Sequence, residues 1–153
     1  MLEIRKATPD DHSLLIQMYL SEIEKSDERA RTFADILISR YETLLAFKNR
    51  ILSGTVSWEL RGGIDDGVVE LTAIGVNAQF RRQNIARRLV ESMIKEASMF
   101  FSGKGHRLRV VFLFMEKSNE VARKFYSSLK FEETAAIPEL YPNDDGVIWI
   151  RHF

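Results

Sequence analysis

The sequence predicts a single α/β domain, and three observations carry that expectation. Short apolar runs, alternating or β-branched, recur along the chain, and between them lie stretches whose apolar residues are spaced three or four apart. One such run ends at Val76 and passes through a short polar loop into a long amphipathic stretch, the order of a strand, a tight turn and a helix. A length of 153 residues, 45% of them hydrophobic, suits one compact domain with a full core.

The elements follow in order. Leu2 to Lys6 alternates as a half-buried strand does. Thr8 as cap, Pro9 at the first helical position and Asp10 and Asp11 in the first turn mark a helix start. Leu14, Leu15, Met18 and Tyr19 form the apolar face of that helix. A second helix is predicted from about Asp27 to Tyr41, with Phe33, Ile36, Leu37 and Arg40 at helical spacing. Leu44 to Phe47 is strand-like, Lys48-Asn49-Arg50 reads as a hairpin turn, and Ile51 to Leu60 is the return strand. Gly54 within it marks a place where a side chain is unwelcome. Arg61 to Gly67 holds three glycines and two aspartates, a turn by composition. Val68 to Val76 is the next strand, and the helix from about Arg82 to Phe100 buries Ile85, Leu89, Met93 and Ala97 on one stripe. Ser102 to Gly105 stops it. Leu108 to Met115 reads as a central strand covered on both faces. A helix over Asn119 to Leu129 and two strands, Phe131 to Ala136 and Val147 to Phe153, close the chain; the loop between those strands contains Tyr141 to Asp145.

Composition narrows the function. Lys+Arg and Asp+Glu balance at 22 each, so no global field points to nucleic acid or to an anionic membrane. The absence of cysteine excludes disulfides, a cysteine nucleophile and thiolate metal sites. His12, His106 and His152 lack ligand spacing, so no metal is expected. The charged, alternating N-terminus is unlike a signal peptide, and no apolar run approaches the roughly 18–20 residues that cross a bilayer. A soluble cytoplasmic protein is the expectation. Arg61-Gly62-Gly63 reads as a turn and not as an RNA-binding repeat.

The richest segment is Val76 to Leu89, Val-Asn-Ala-Gln-Phe-Arg-Arg-Gln-Asn-Ile-Ala-Arg-Arg-Leu. A helix start leaves backbone N–H groups unpaired and carries partial positive charge, so it attracts anionic phosphate. Here the N–H groups of about Arg82 to Ala86 would face the ligand, with arginine charge beside them. The expected ligand is a phosphate-bearing cofactor.

This segment resembles the cofactor motif of the GNAT superfamily, the acetyl-CoA-dependent N-acetyltransferases, which reads Gln/Arg-x-x-Gly-x-Gly/Ala at the start of the helix after the fourth strand. Arg81-Arg82-Gln83-Asn84-Ile85-Ala86 fits at Arg81, Ile85 and Ala86, with Asn84 where the family usually has glycine. Asparagine tolerates a left-handed backbone. A second segment, Asn119 to Phe131, resembles Asn-x-x-Ala-x-x-x-Tyr-x-x-x-Gly-Phe and matches at Asn119, Ala122, Tyr126 and Phe131, with Lys130 in the glycine position. The resemblance covers nearly the whole chain. It implies a single N-acetyltransferase domain over residues 1–153, with a mixed central sheet of about seven strands flanked by about four helices. It also implies acetyl-CoA as co-substrate, held by Ile74, Gly75 and Val76 on the strand, by Arg81, Arg82, Gln83, Asn84, Ile85, Ala86 and Arg87 at the turn and helix start, and by Asn119 and Tyr126.

Acetyl transfer from a thioester to an amine needs a held cofactor, a deprotonated amine and a protonated leaving thiolate. In the resembled family the tyrosine matching Tyr126 donates to the departing sulfur or binds it; packing on the sheet is the plain alternative. Asn119 either binds the pantetheine arm or caps its helix. Glu70, eleven residues before Arg81, stands about where histone-type members carry a base glutamate. Half-buried on an apolar strand it would suit proton abstraction, whereas facing water it would not. Ribosomal-protein acetyltransferases place a glutamate where this chain has Phe114; Glu116 lies beyond the strand. The family's acceptor cleft would here include Tyr19, Glu22, Glu24, Phe33, Trp58 and Tyr141. The acceptor is an unidentified primary amine, and a homodimer is among the family's common states. Two readings compete with the enzyme. One is a non-catalytic acyl-CoA-binding sensor or partner-positioning module, motivated by the two replaced glycines. The other is a different nucleotide-binding α/β domain, although no Gly-x-Gly-x-x-Gly occurs.

Overall fold

Asn49 and Arg50 both adopt left-handed backbone angles (φ 51° and 67°), which lets strand β2 (Glu42–Lys48) turn straight into β3 (Ile51–Arg61) as a tight hairpin. The computed structural model describes residues 1–153. Before the hairpin come β1 (Leu2–Lys6), α1 (His12–Glu22) and α2 (Asp27–Asp35). After it come β4 (Val68–Val76), α3 (Ile85–Ser102), β5 (Val110–Glu116), α4 (Glu120–Ser128), β6 (Glu132–Tyr141) and β7 (Asp144–His152). The strands hydrogen-bond in the order β1-β2-β3-β4-β5-β7-β6. The β4–β5 pair is parallel, while β1–β2, β2–β3, β5–β7 and β6–β7 are antiparallel, so the α/β fold has the mixed seven-stranded sheet and four α-helices expected of it.

The chain divides into two compact units. The first comprises residues 1–59 and 72–96. Its core gathers Leu15 and Met18 of α1, Ala34 of α2, Leu37, Leu45 of β2 and Leu52 of β3. The entry to α1 is a short 3₁₀ turn, Pro9–Asp11, and here the first-turn acid makes the cap: Thr8 N–H donates to the Asp11 carboxylate at 2.8 Å. Arg5 grips the same carboxylate through two bonds, of 2.9 and 2.8 Å. That pairing, opposed by burial and helped by Thr8, holds Asp11 at about 2, well below an ordinary carboxyl group. The second helix ends earlier than its periodicity suggests. Its regular part stops at Asp35, and Ile36–Arg40 is a wider π turn in which Tyr41 N–H donates to Ile36 O at 3.0 Å. Gly54 meets its expectation: a Cβ there would lie 2.7 Å from Gly75 O, so β3 and β4 approach more closely than a side chain allows.

The second unit comprises residues 60–71 and 97–153. Here β4 runs parallel to β5 over Val68–Glu70, and β5 pairs with β7 along its whole length, from Val110↔His152 to Glu116↔Gly146. Val111, Leu113 and Met115 are buried, but on the opposite face of β5 Val110 and Phe112 are only half-buried and Phe114 is 39% exposed, so the expected two-sided cover is incomplete. The strand is apolar throughout, and hydropathy alone does not separate a covered face from an open one. The last hairpin also departs from expectation. β6 continues through Pro138 to Tyr141 and β7 begins at Asp144, so Pro142 and Asn143 form a two-residue turn instead of a loop. Glu139 (φ 54°) and a register shift between Ile137 and Tyr141 break the alternation that would have announced this strand.

Candidate functional site

In the first unit, β4 delivers the chain to the predicted phosphate turn. Asn77 fixes the exit: its N–H donates to Ser53 O at 2.8 Å and its side-chain amide to Leu52 O at 2.9 Å. Ala78–Phe80 makes one 3₁₀ turn and buries Phe80 as an anchor. Arg81 to Asn84 then run exposed to the start of α3 at Ile85, later than the Arg82 start expected from sequence. Arg82 and Asn84 both sit in the left-handed region (φ 63° and 61°), so Asn84 adopts the conformation for which glycine is usual. The first helical bond of α3 comes from Arg88 N–H to Asn84 O, and no hydrogen bond within the chain engages the N–H groups of Arg82, Gln83, Asn84, Ile85 or Ala86. Five donors are thus presented beside exposed arginines, an arrangement that binds anions. The Arg81 side chain folds back, its Nε donating to Val76 O at 3.2 Å. Arg87 leans toward Glu91, 3.9 Å away.

Beside this turn the same unit holds a cleft of about 220 Å³, walled by Ala73 to Val76 of β4 and by Met18, Glu22, Ile23 and Phe33. Ala78 N–H donates to Glu22 Oε1 at 2.8 Å, tying the end of α1 to the turn after β4. Of the residues expected in an acceptor cleft, Glu22 and Phe33 line this one. Tyr19 is buried with its ring 5.1 Å from Phe33, and its hydroxyl donates to Glu24, which also takes Arg29 at 3.1 Å. Trp58 does not belong to the cleft: it is 2% exposed, and its indole N–H donates to Glu96 at 2.8 Å. Met18 is legible as part of the apolar face of α1, but the place of Ile23 in the cleft and the Glu22–Ala78 bond carry no sequence signal, because partners 56 residues apart meet only through the fold.

In the second unit, Asn119 caps α4, its side-chain oxygen accepting from Ala122 N–H at 3.0 Å. That is the capping role; the amide nitrogen is left over. Tyr126 is 5% exposed, wedged between Phe125 (5.0 Å) and Phe131 (5.6 Å), and its hydroxyl makes no hydrogen bond within the chain. Burial pushes its phenol up to about 12, so the proton stays on oxygen throughout the physiological range. Lys130 takes the left-handed angle expected at the glycine position (φ 68°). Phe131 N–H returns to Tyr126 O and Lys130 N–H to Ser127 O, each at 3.0 Å, which closes the end of α4.

Glu70 is not the isolated acid that its apolar strand suggests. Arg61 holds one carboxylate oxygen from Nε at 2.9 Å and from its terminal nitrogen at 2.7 Å, and the side chain is 15% exposed. The two residues flank the glycine-rich turn, so opposite charges at the two ends of that turn were the available signal. Phe114 packs edge-on to Phe112 at 5.8 Å. Tyr141, at the end of β6, is half-buried. No group of three or more histidine, cysteine, aspartate or glutamate side chains gathers at metal-binding distance, and no helix is long and apolar enough to cross a membrane.

Known proteins resemble this arrangement. The chain superposes on the ribosomal-protein-S18-alanine N-acetyltransferase of Escherichia coli with a TM-score of 0.78 and 22% identity, over 99% of this chain and 94% of that one. An N-acetyltransferase from Staphylococcus aureus gives 0.74 at 21% identity, over 99% and 98% of the two chains. NAA60 of Arabidopsis thaliana, solved in complex with acetyl-CoA, gives 0.72 at 17% identity, over 100% and 99%. At these identities the likeness is one of fold. No curated protein is similar enough in sequence to count as a match. The sequence profile of the Acetyltransferase (GNAT) family matches residues 9–131, and the chain belongs to that family.

Proposed function

We propose that residues 1–153 form one catalytic domain that moves an acetyl group from acetyl-CoA to a primary amine by direct attack in a ternary complex. The observation that carries this reading is the row of unengaged N–H groups from Arg82 to Ala86, flanked by Arg81 and Arg82, at the start of an eighteen-residue helix. Those donors suit a pyrophosphate. The backbone of Ile74, Gly75 and Val76 leading into them suits an extended amide-bearing arm, and a Cβ at Gly75 would meet nothing within 4 Å, so the strand is open there. Acetyl-CoA supplies an activated acetyl group as a thioester, and its transfer to an ammonium releases CoA as the thiol and one proton.

The chain's own residues account for the proton traffic. A buried phenol that keeps its proton and has no partner in the chain is placed to hydrogen-bond a leaving thiolate and pass it a proton as charge develops on sulfur, and Tyr126 is that group. The deprotonated amine attacks the thioester carbon, the carbon–sulfur bond breaks, the sulfur takes the Tyr126 proton, and the proton lost by the attacking nitrogen restores the Tyr126 phenol by way of solvent. Glu70 remains the candidate base: both Arg61 contacts fall on Oε1, which leaves Oε2 to take a proton. Without a cysteine the chain forms no cysteine-linked acyl-enzyme, which favours direct attack.

The Arg61–Glu70 pair also favours a second reading, an acyl-CoA-binding module without turnover, because it ties one oxygen of the candidate base into an ion pair. Calorimetric titration with acetyl-CoA, with CoA and NADH as controls, followed by an amine screen for CoA release, separates the readings. Micromolar acetyl-CoA binding with release of CoA supports the enzyme. Binding without release across a broad amine panel selects the module, and no binding by folded protein discards both.

A further inference from the structure

We propose that strand β1 is the contact surface for a second copy of this chain, and that two β1 strands pair antiparallel about a two-fold axis at Ile4. The sheet of one copy then runs on into the sheet of the other, with Glu3 of each copy facing Arg5 of its partner. The inference stands apart from the transferase reading, since it uses no part of the candidate site.

Strand β1 ends the strand order and hydrogen-bonds on one side only, to β2. That pairing decides which backbone groups are left over. Asn49 N–H donates to Met1 O at 3.4 Å and Ala7 N–H to Thr43 O at 2.9 Å, so odd-numbered residues turn their N–H and C=O groups toward β2. Leu2, Ile4 and Lys6 therefore turn theirs outward along the open edge. The Lys6 carbonyl accepts from the Arg5 guanidinium at 3.1 Å, and a carbonyl oxygen has room for a second bond. An edge strand with free ladder groups is a template for another strand.

The side chains choose the occupant and the register. Outward residues must meet outward residues, so an even-numbered residue of one copy faces an even-numbered residue of the other. With the axis at Ile4, Leu2 meets Lys6, Ile4 meets itself, and Glu3 meets Arg5 once on each side of the axis. Moving the axis one residue either way sets Glu3 against Glu3 or Arg5 against Arg5, which is repulsive. In the favoured register Glu3 and Arg5 form a non-hydrogen-bonded pair, the kind whose side chains approach most closely. Glu3 is exposed and makes no ion pair within its own chain. Arg5 is held in advance by its two bonds to Asp11 and lies 4.8 Å from the centre of the Phe47 ring, with its Nε–H uncommitted. The ground beside them is open: Met1, Glu3, Arg5, Phe47, Asn49 and Arg50 wall a hollow of about 390 Å³. The sheet's other edge lacks this complementarity. β6 carries Glu132, Glu133 and Glu139 with no basic residue, and Pro138 brings no N–H.

The test is sedimentation velocity on the full chain from low to high micromolar concentration, with melting curves to confirm that each variant is folded. The parent should pass from monomer to dimer across that range. Glu3→Lys turns both attractive pairs into repulsive ones without touching a bond within the chain, and should weaken the dimer about tenfold. Ile4→Pro removes the two central donors, which point away from β2, and should leave monomer at every concentration. Because the chain has no cysteine, a single introduced thiol reports the register. A hydrogen-bonded antiparallel pair holds its Cα atoms about 5.5 Å apart, within disulfide reach, so mild oxidation should cross-link Ile4→Cys and not Leu2→Cys. A parent that stays monomeric throughout, a dimer that Glu3→Lys leaves unchanged, or cross-linking of Leu2→Cys as ready as that of Ile4→Cys overturns the proposal.

Discussion

Asn84 and Lys130 occupy positions where the family prefers glycine, and both adopt the same left-handed backbone, at φ 61° and 68°. What surrounds them is opposite. At the end of α4 the turn is closed: the N–H groups of Lys130 and Phe131 both return to the helix. Before α3 the turn is open, and five successive N–H groups find no acceptor in the chain. Left-handed geometry at a helix end is therefore not itself a mark of function. The donors of the closed turn are satisfied and those of the open turn are not, as at other helix starts, and it is these open donors that the proposed function uses. Side chains repeat the contrast. Tyr126 gives its backbone carbonyl to the closed turn while its hydroxyl stays without a partner in the chain, so on the proposed function one residue would serve packing with one end and chemistry with the other.

Replacing that hydroxyl tests the division most sharply. Tyr126→Phe should lower kcat by about a hundredfold, the scale of a lost general acid, with the KM for acetyl-CoA little changed. Its thermal midpoint should stay near that of the parent, since no hydrogen bond within the chain is lost. Steady-state kinetics beside a melting curve reads both; a large loss of stability with unchanged kcat would make Tyr126 a packing residue.

A smaller effect comes from Asp11, a carboxylate as fully satisfied as the open turn is unsatisfied. Its folded value of about 2 lies below the ordinary 3.8, because Arg5 and Thr8 bind the charged form. A depressed value contributes stability that is complete well above 3.8 and is lost as the pH falls toward 2. The contribution is about 2 kcal/mol. Chemical denaturation of Asp11→Asn should show that deficit at neutral pH, with parent and variant converging in acid; parallel curves down to the acid limit would contradict it.

The smallest effect addresses the two turns directly. Lys130→Gly should stabilise the chain by about 1 kcal/mol, the cost of a non-glycine residue in left-handed backbone, and leave acetyl-CoA affinity unchanged. Asn84→Gly should stabilise by no more than that and should hold or tighten the affinity, because a side chain next to the anion is removed. Calorimetry on both variants decides the matter: weaker binding in Asn84→Gly would mean that the asparagine side chain itself contacts the ligand.

Much of this contrast was readable before any coordinates. The strand ending at Val76, the helix stripe of Ile85, Leu89, Met93 and Ala97, and the tolerance of Asn84 for its backbone all follow from local periodicity and side-chain chemistry. Asn119 as a cap was one of two readings that its sequence context allowed, and the bond to Ala122 selects it for the side-chain oxygen. What escaped depends on partners distant in sequence or on irregular backbone. Glu22 meets Ala78 across 56 residues, Trp58 disappears into the core through its bond to Glu96, and the β6 extension hides behind Pro138 and the left-handed Glu139. The Arg61–Glu70 pair was within reach, because a glycine-rich turn that reverses the chain brings its two flanks together.

The two tryptophans carry one further consequence. Trp58 lies in the first unit, 2% exposed with its indole N–H bonded to Glu96, and Trp149 lies in the second, 6% exposed with its indole nitrogen unpartnered. The chain thus contains one tryptophan per unit, each in a different electrostatic setting, and excitation beyond the tyrosine absorption makes each the light source of its own unit. Trp58→Phe leaves a light source that reports only on the second unit, and Trp149→Phe leaves one that reports only on the first. Superimposable denaturation curves from the pair would identify a single cooperative transition, and separated curves would assign a stability to each unit without any added label.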